Sequence, residues 1–99
     1  MLNSVDLAPT FTRLLIIGTN PTQGFPLTLK AVVTSIKGIP EGRVQFKTEG
    51  QTLTTQTLKH GEAVFSTSGL RRGNHILFAE YEGAGRYNRS SAKTVLNVQ

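Results

Sequence analysis

The sequence predicts an all-β domain, a Greek-key sandwich of about seven antiparallel strands. Three observations support this. Short runs rich in Thr, Val, Leu and Ile alternate apolar with polar residues. Gly- and Pro-containing turns separate these runs at intervals of about 8 to 12 residues. No stretch has the period of an amphipathic helix. Without helical crossovers, a parallel sheet is excluded.

The first two strands are predicted at 11–17 and 27–34. The first ends before Gly18-Thr19-Asn20-Pro21, because Pro cannot continue a hydrogen-bonded ladder. The second has the clearest alternation in the chain. Its apolar row consists of Leu27, Leu29, Ala31 and Val33. A period of two indicates a strand with one face on a core.

The loop 37–42 leads to a third strand at 43–47, with Val44 and Phe46 inward. Its outward row is Arg43, Gln45 and Lys47. Glu49-Gly50 then turns the chain into a Thr-rich strand at 51–58. Leu53 and Leu58 cannot share a face at a strict period of two, so we expect a β-bulge between them.

Three further strands are predicted at 63–67, 74–82 and 92–98, after turns at 59–61, 68–73 and 83–85. The strand at 74–82 has bulky residues on both faces. Its inward row is His75, Leu77, Ala79 and Tyr81. The outward row contains Ile76 and Phe78, which makes that face a candidate partner surface.

The 99 residues fit one domain. We expect residues 1–10 to be a linker or disordered segment and residues 11–99 to be the folded domain. The N-terminus lacks a basic region followed by a long apolar run, so we expect any export signal of the parent protein to lie outside this chain. No run approaches the roughly 20 apolar residues of a membrane span, and membrane insertion is not expected.

The net charge of +5 would suit a polyanion, such as nucleic acid or an acidic polysaccharide. Most Lys and Arg residues are scattered singly, as is typical of charges that protect sheet edges. Two close groups remain, Arg71 with Arg72 and Arg86 with Arg89. If these groups lie at opposite ends of the sandwich, they cannot form a continuous track. The distribution therefore argues against a nucleic-acid partner.

Residues suited to catalysis and metal binding are few. The chain has no Cys, two His and a single Asp, and the sequence has no Gly-x-Ser-x-Gly or phosphate-loop pattern. Glu80 and Glu82 share a strand face, but such pairs usually lie on solvated edges. We therefore predict no enzyme, no catalytic residue, no cofactor and no metal site.

Three strings of residues resemble the group 3 bacterial immunoglobulin-like domains. They are Pro40-x-Gly42-x-Val44-x-Phe46, Gly61-x-Ala63-x-Phe65 and Leu70-x-x-Gly73-x-His75-x-Leu77-x-Ala79-x-Tyr81-x-Gly83, followed by Tyr87 and Ser90-Ser91. The third string is the most specific. The chain departs from the family in being unusually basic and in having Ile76 and Phe78 at outward positions.

The resemblance implies an immunoglobulin-like fold and a module of large secreted or cell-surface proteins, often in tandem copies. The expected function is a structural or adhesive spacer, with adjacent domains of the parent as partners and a monomer in isolation. The alternative is a module that binds a surface protein or glycan through Arg43, Gln45, Ile76 and Phe78. A polyanion binder is the third reading.

Several residues of these strings also have a structural reading from their chemistry. Gly42 and Gly73 precede strands where the chain changes direction. His75 is expected to pack at a sheet corner and to hydrogen-bond to neighbouring backbone, like the tyrosine corner of other sandwiches. Tyr81 is expected to place its ring in the core, with its hydroxyl near water or a backbone group.

Overall fold

Two antiparallel β-sheets form the protein. The computed structural model describes residues 7–18 and 21–99, and these contain seven strands and no helix. The strands are β1 (Phe11–Ile17), β2 (Leu27–Thr34), β3 (Arg43–Thr48), β4 (Gln51–Thr57), β5 (Glu62–Thr67), β6 (Gly73–Tyr81) and β7 (Ser90–Val98). The predicted all-β sandwich is therefore confirmed.

The sheets have the orders β1-β2-β5 and β4-β3-β6-β7. The chain changes sheet between β2 and β3, between β4 and β5, and between β5 and β6, which is a Greek-key connectivity. The registers place inward residues opposite inward residues, as in the pairs of Val44 with Tyr81 and of Phe46 with Ala79. The alternation in the sequence thus becomes one continuous inner face on each sheet.

The core lies between the two inner faces. Its largest fully buried side chains are Tyr81, Phe46, Leu29, Leu77, Val33 and Val44. Phe46 joins the two layers, because the centroid of its ring lies 5.9 Å from that of Phe65 on the opposite sheet. The inward rows predicted for the strands around residues 27–33, 44–46 and 77–81 are buried in the structure.

Two tight turns and one bulge shape the ends of β3, β4 and β5. Glu49-Gly50 and His60-Gly61 each place two successive residues at positive φ, the requirement of a two-residue turn between antiparallel segments. The first turn joins β3 to β4, and the second lies between Lys59 and Glu62, where the chain passes to the other sheet. The register of β3 with β4 shifts between Phe46 and Lys47, which leaves Leu53 as the extra residue on β4. A bulge is present, as predicted, but it lies at Leu53 itself and not between Leu53 and Leu58, and it turns Leu53 towards the core.

The sandwich has two poles. The loops 35–42, 58–61 and 82–89 lie at the pole where β1 begins, and we call this end the N-terminal pole. The loops 49–50 and 68–72, with residue 99, lie at the other end, the C-terminal pole. Because β1 and β7 both run from the first pole to the second, the chain enters and leaves at opposite ends.

Residues 1–6 of the predicted linker lie outside the described residues. The end of that segment packs on the sandwich. Ala8 is buried and forms a parallel bridge with Tyr87, and the Thr10 hydroxyl lies 2.8 Å from the carbonyl oxygen of Asn88. The Thr10 hydroxyl thus connects this segment to the beginning of β7, through contacts with residues 78 and 80 positions further along the chain.

Candidate functional site

The outer face of the four-stranded sheet carries the predicted partner residues. The outward side chains of β3, β6 and β7 meet there, since Gln45 pairs with Glu80 and Lys47 with Phe78 in the β3–β6 register. Arg43, Gln45, Ile76 and Phe78 therefore belong to one surface, which we call the outer face. That surface also includes Lys93 and Val95 of β7.

Ion pairs neutralise much of the charge on the outer face. The Lys47 ammonium lies 2.8 Å from a Glu80 carboxylate oxygen, and the Arg43 guanidinium lies 3.4 Å from Glu82. Gln45 donates a hydrogen bond of 2.8 Å from Nε2 to the second Glu82 oxygen. Exposed pairs of this kind add at most about 1 kcal/mol each to stability. They leave no surplus charge of one sign on these residues to attract a ligand.

The apolar residues of the outer face lie beside this ladder of ion pairs. Ile76 is 49% exposed, and its cross-strand neighbour Val95 is 69% exposed. Phe78 is half-buried, with Lys47 and Lys93 as its neighbours on either side. Val95 is not among the residues predicted for this surface from the sequence. Alternation along β7 places Val95 on the face of the sheet opposite to Leu96. Only the β6–β7 register shows that Val95 lies beside Ile76.

A shallow groove of about 540 Å³ runs along the outer face near the N-terminal pole, lined by Gln45, Glu80, Tyr81, Glu82, Arg89 and Ser91 among others. Its carboxylates, amide and hydroxyl are hydrogen-bonding groups, and the Glu82 carboxylate is already paired. The groove holds no cluster of residues arranged for nucleophilic or acid–base catalysis. Binding of a protein or glycan here stays a prediction.

The two arginine groups lie far apart. Arg71 and Arg72 follow β5 at the C-terminal pole, whereas Arg86 and Arg89 lie in the loop between β6 and β7 at the N-terminal pole. The whole length of β6 separates them. The continuous basic track that a nucleic-acid backbone requires is absent from this arrangement of arginines.

The Tyr81 and Gly42 sites hold the N-terminal pole together. The Tyr81 hydroxyl donates a hydrogen bond of 2.5 Å to the carbonyl oxygen of Glu41, and burial of the ring raises the pKa of this hydroxyl. Gly42, at a φ of +117°, sits against Ala84 and the Tyr81 ring. Its carbonyl oxygen accepts a hydrogen bond of 2.8 Å from the Leu58 amide. These contacts hold the loop of Glu41 and Gly42 against the end of β6 and the start of the loop 82–89.

His75 joins three parts of the chain at the C-terminal pole. Its Nε2 lies 2.6 Å from the carbonyl oxygen of Arg71, and its Nδ1 lies 2.7 Å from a Glu49 carboxylate oxygen. Its side chain is only 11% exposed. Both partners can only accept hydrogen bonds, so the geometry suits the imidazolium, in which both nitrogens donate. The Arg71 carbonyl, and then the Glu49 carboxylate, raise the pKa of His75.

The Glu49 carboxylate complements this site. Thr48 donates a hydrogen bond of 2.7 Å from its hydroxyl to Glu49 Oε2, while His75 contacts Oε1. The Thr48 hydrogen bond, followed by the His75 contact, lowers the pKa of Glu49. The corner therefore links the β3–β4 turn, the β5–β6 loop and β6 through one charged ring.

We expect stability to depend on pH through this corner. The contribution of His75 is fully present below its unfolded-state pKa of 6.5 and is lost as pH rises through the raised folded-state pKa. Glu49 contributes above its unfolded-state pKa of 4.5 and loses this contribution as pH falls through its lowered folded-state pKa. Urea unfolding from about pH 4 to pH 9 should give a maximum near pH 5 to 6.

The variant His75→Gln should flatten the decline above the maximum, because no titrating ring remains at the corner. His60→Asn is the matched control, since His60 lies in an exposed turn at the other pole and Asn tolerates its φ of +54°. It should keep the decline, because Arg71 and Glu49 still hold His75. An unchanged pH profile in His75→Gln would contradict the assignment.

Among residues 7–18 and 21–99, no group of three or more His, Cys, Asp or Glu side chains is placed to hold a metal ion. In the same part of the chain, every buried side-chain nitrogen or oxygen atom has a hydrogen-bond partner. No helix long and apolar enough to span a bilayer occurs in the described segments. The predicted absence of a cofactor remains an expectation.

Comparison with known proteins gives a family and a related fold. Residues 15–99 match the family described as bacterial Ig-like domain (group 3). Among solved structures, the chain is similar to the fibronectin(III)-like modules of Clostridium thermocellum CbhA, at 13% sequence identity and a TM-score of 0.57. That match covers 87% of this chain and 98% of the other, and at this identity it shows the fold alone. No curated protein matches the chain. Since the family match spans most of the sequence, the chain belongs to the group 3 bacterial Ig-like domains.

Proposed function

We propose that this chain is a non-catalytic structural module, a spacer that extends or presents other domains of a larger secreted or cell-surface bacterial protein. The observation that carries the proposal is that β1 begins at one pole and β7 ends at the other pole of an elongated domain, with extents of 55 × 25 × 17 Å. Modules joined end to end in this way would form an extended row, and each module would add its own length to that row. Adjacent domains of the parent are then the direct partners.

The contact between the two terminal segments supports a load-bearing role. The Ala8 amide donates a hydrogen bond of 2.6 Å to the Arg86 carbonyl, and the Asn88 amide donates one of 2.9 Å to the Ala8 carbonyl. The Thr10 hydroxyl continues this contact to Asn88 and Ser90, and the Thr12 hydroxyl lies 2.6 Å from that of Ser90. These bonds connect segments that run in the same direction, from the N-terminal to the C-terminal pole.

A force that pulls the two ends apart would act along these segments. It would slide the N-terminal segment and β7 past each other in opposite directions, so the bonds at Ala8, Thr10 and Thr12 would be loaded together and not one after another. Shared loading raises the barrier to rupture. The family membership and the fibronectin(III)-like fold are consistent with a mechanical spacer, since the similar solved structure is also described as a set of modules.

Single-molecule pulling from the two ends tests this proposal. Thr10→Val removes the hydroxyl that lies 2.8 Å from the Asn88 carbonyl oxygen, at nearly constant side-chain volume. The loss of one such hydrogen bond costs about 1 kcal/mol. If that bond bears load, rupture at a fixed force should become about fivefold faster.

Thr28→Val is the matched control. It removes a hydrogen bond of 2.8 Å between Thr28 and Ser66, which connects β2 to β5 and neither terminal segment. This variant should leave the rupture rate under force nearly unchanged. Equal acceleration in both variants, or rupture at very low force in the unmodified chain, would argue against a load-bearing spacer.

A further inference from the structure

Among the residues that the structure describes, the two sheets leave one side of the sandwich open. At the other side, β1 and β7 lie against each other and are joined by the contact between the Thr12 and Ser90 hydroxyls. At the open side lie the edge strands β4 and β5. Within the described part of the chain, β4 pairs with β3 alone, so alternate backbone N–H and C=O groups along its free edge face away from the sheet.

The residues of β4 lack the usual protection of an edge strand. Natural edges are blocked by Lys, Pro or inward-pointing charges. The segment from Gln51 to Thr57 contains only Gln, Thr and Leu, although the chain as a whole has 11 basic and 6 acidic residues. The neighbouring free edge differs, because β5 carries Glu62, whose carboxylate lies 3.1 Å from the Lys30 ammonium. The bulge at Leu53 affects only the first half of β4.

We propose that two copies of this chain associate through β4, edge to edge and antiparallel, about a two-fold axis beside Thr55. The regular second half of β4 is self-complementary in that register. Thr55 would lie opposite Thr55 of the second copy, and Thr54 opposite Gln56. Each of these pairs is uncharged and able to form hydrogen bonds, whereas like charges opposite each other would destabilise the pairing.

A second copy of the chain, paired about a two-fold axis, fits the β4 edge better than an extended peptide from another protein does. Peptides that add to a sheet edge gain specificity from side-chain pockets. The outward residues Thr55 and Thr57 of β4 are small and exposed and form no pocket. Self-pairing needs none, because each copy supplies the same row of Thr and Gln. The two four-stranded sheets would then form one eight-stranded sheet across the dimer. Both β4 edges would be paired, so no third copy could add there.

The contact is small and is opposed by net charge. A single strand edge buries less than the roughly 1,200 Å² of stable interfaces, so a dissociation constant of about 0.1 to 1 mM is expected. Each copy carries a net charge of +5, and added salt screens the repulsion between the copies. Dimerisation should therefore strengthen with salt, the opposite of a contact made by ion pairs. At concentrations well below this dissociation constant the chain is a monomer, as the sequence alone predicts.

Sedimentation equilibrium tests the proposal with the chain at about 20 µM to 1 mM, in low salt and in about 0.3 M NaCl. The expected result is a monomer–dimer equilibrium that shifts to dimer in salt. In ¹⁵N-labelled protein, amide signals of 51–57 should move with concentration. Thr55→Lys, which sets two ammonium groups opposite each other, should weaken dimerisation by more than about tenfold.

Thr34→Lys is the matched control, because it adds the same charge at an exposed position on the central strand β2 and should weaken dimerisation much less than Thr55→Lys. Circular dichroism establishes that both variants are folded. A monomer throughout the concentration range in salt would overturn the proposal, as would equal dimerisation of Thr55→Lys and the unmodified chain. Signal changes at Ile76 and Val95 without changes in 51–57 would assign the contact to the outer face and also overturn it.

Discussion

Phe46→Ala should destabilise the domain by about 3 to 5 kcal/mol, because it removes a buried ring and leaves a cavity between the sheets. Phe46 is 0% exposed, and its ring packs against that of Phe65 at a centroid distance of 5.9 Å. Neighbouring strands hold the backbone on both sides of Phe46, which limits collapse of the cavity. The variant therefore tests the central layer of the sandwich.

Urea denaturation measures this loss directly. A domain of this size is stable by about 5 to 15 kcal/mol, so Phe46→Ala should remove a large part of the total and lower the midpoint strongly. Phe25→Ala makes the same chemical change at a residue that is 67% exposed, and it should alter stability by no more than about 0.5 kcal/mol. Similar losses in the two variants would mean that the ring of Phe46 does not fill the core.

The core could be predicted from the sequence because burial in a strand has a period of two. Leu27, Leu29, Ala31 and Val33 are all buried, and so are Val44, Phe46, Leu77, Ala79 and Tyr81. The bulge followed from the same rule, since Leu53 and Leu58 cannot both face inward without an extra residue. Such signals are local and need no knowledge of which strands are neighbours.

Contacts between strands that are distant in the sequence were harder to predict. Ser90 and Ser91 begin β7 because they pair with Tyr81 and Glu80, although their polar side chains give no strand signal. The ion pairs of Glu80 and Glu82 and the exposure of Val95 beside Ile76 depend on registers that alternation does not specify. The outer face was therefore predicted in position but only partly in composition.

The packing of the N-terminal segment had no local signal either. Ala8 and Thr10 flank Pro9 and follow Asn3, Ser4 and Asp6, a composition typical of a linker. They are held by hydrogen bonds to the backbone of Arg86 and Asn88 at the far end of the sequence. His75 is an intermediate case. Its contact with a backbone carbonyl was expected, but its pairing with Glu49 depends on the β3–β4 turn lying beside β6.

Gly42→Ala should strongly destabilise the N-terminal pole. A Cβ atom at Gly42 would lie 2.9 Å from the Cβ of Ala84 and 3.3 Å from a ring carbon of Tyr81, so the neighbours would have to shift. Ala also tolerates the φ of +117° poorly. We expect a backbone cost of about 1 to 2 kcal/mol and an overpacking cost of about 1 to 3 kcal/mol.

Gly73→Ala separates these two costs. Gly73 has a similar φ of +126°, but a Cβ atom there would meet nothing within 4 Å. The control should therefore lose only the backbone cost, and the difference in unfolding free energy between the variants measures the packing of Gly42 against Ala84 and Tyr81. One kcal/mol corresponds to about 4 to 8 °C in melting temperature for a domain of this size. Equal melting temperatures for the two variants would mean that the loop carrying Ala84 moves aside freely, and that Gly42 is required for its backbone conformation alone.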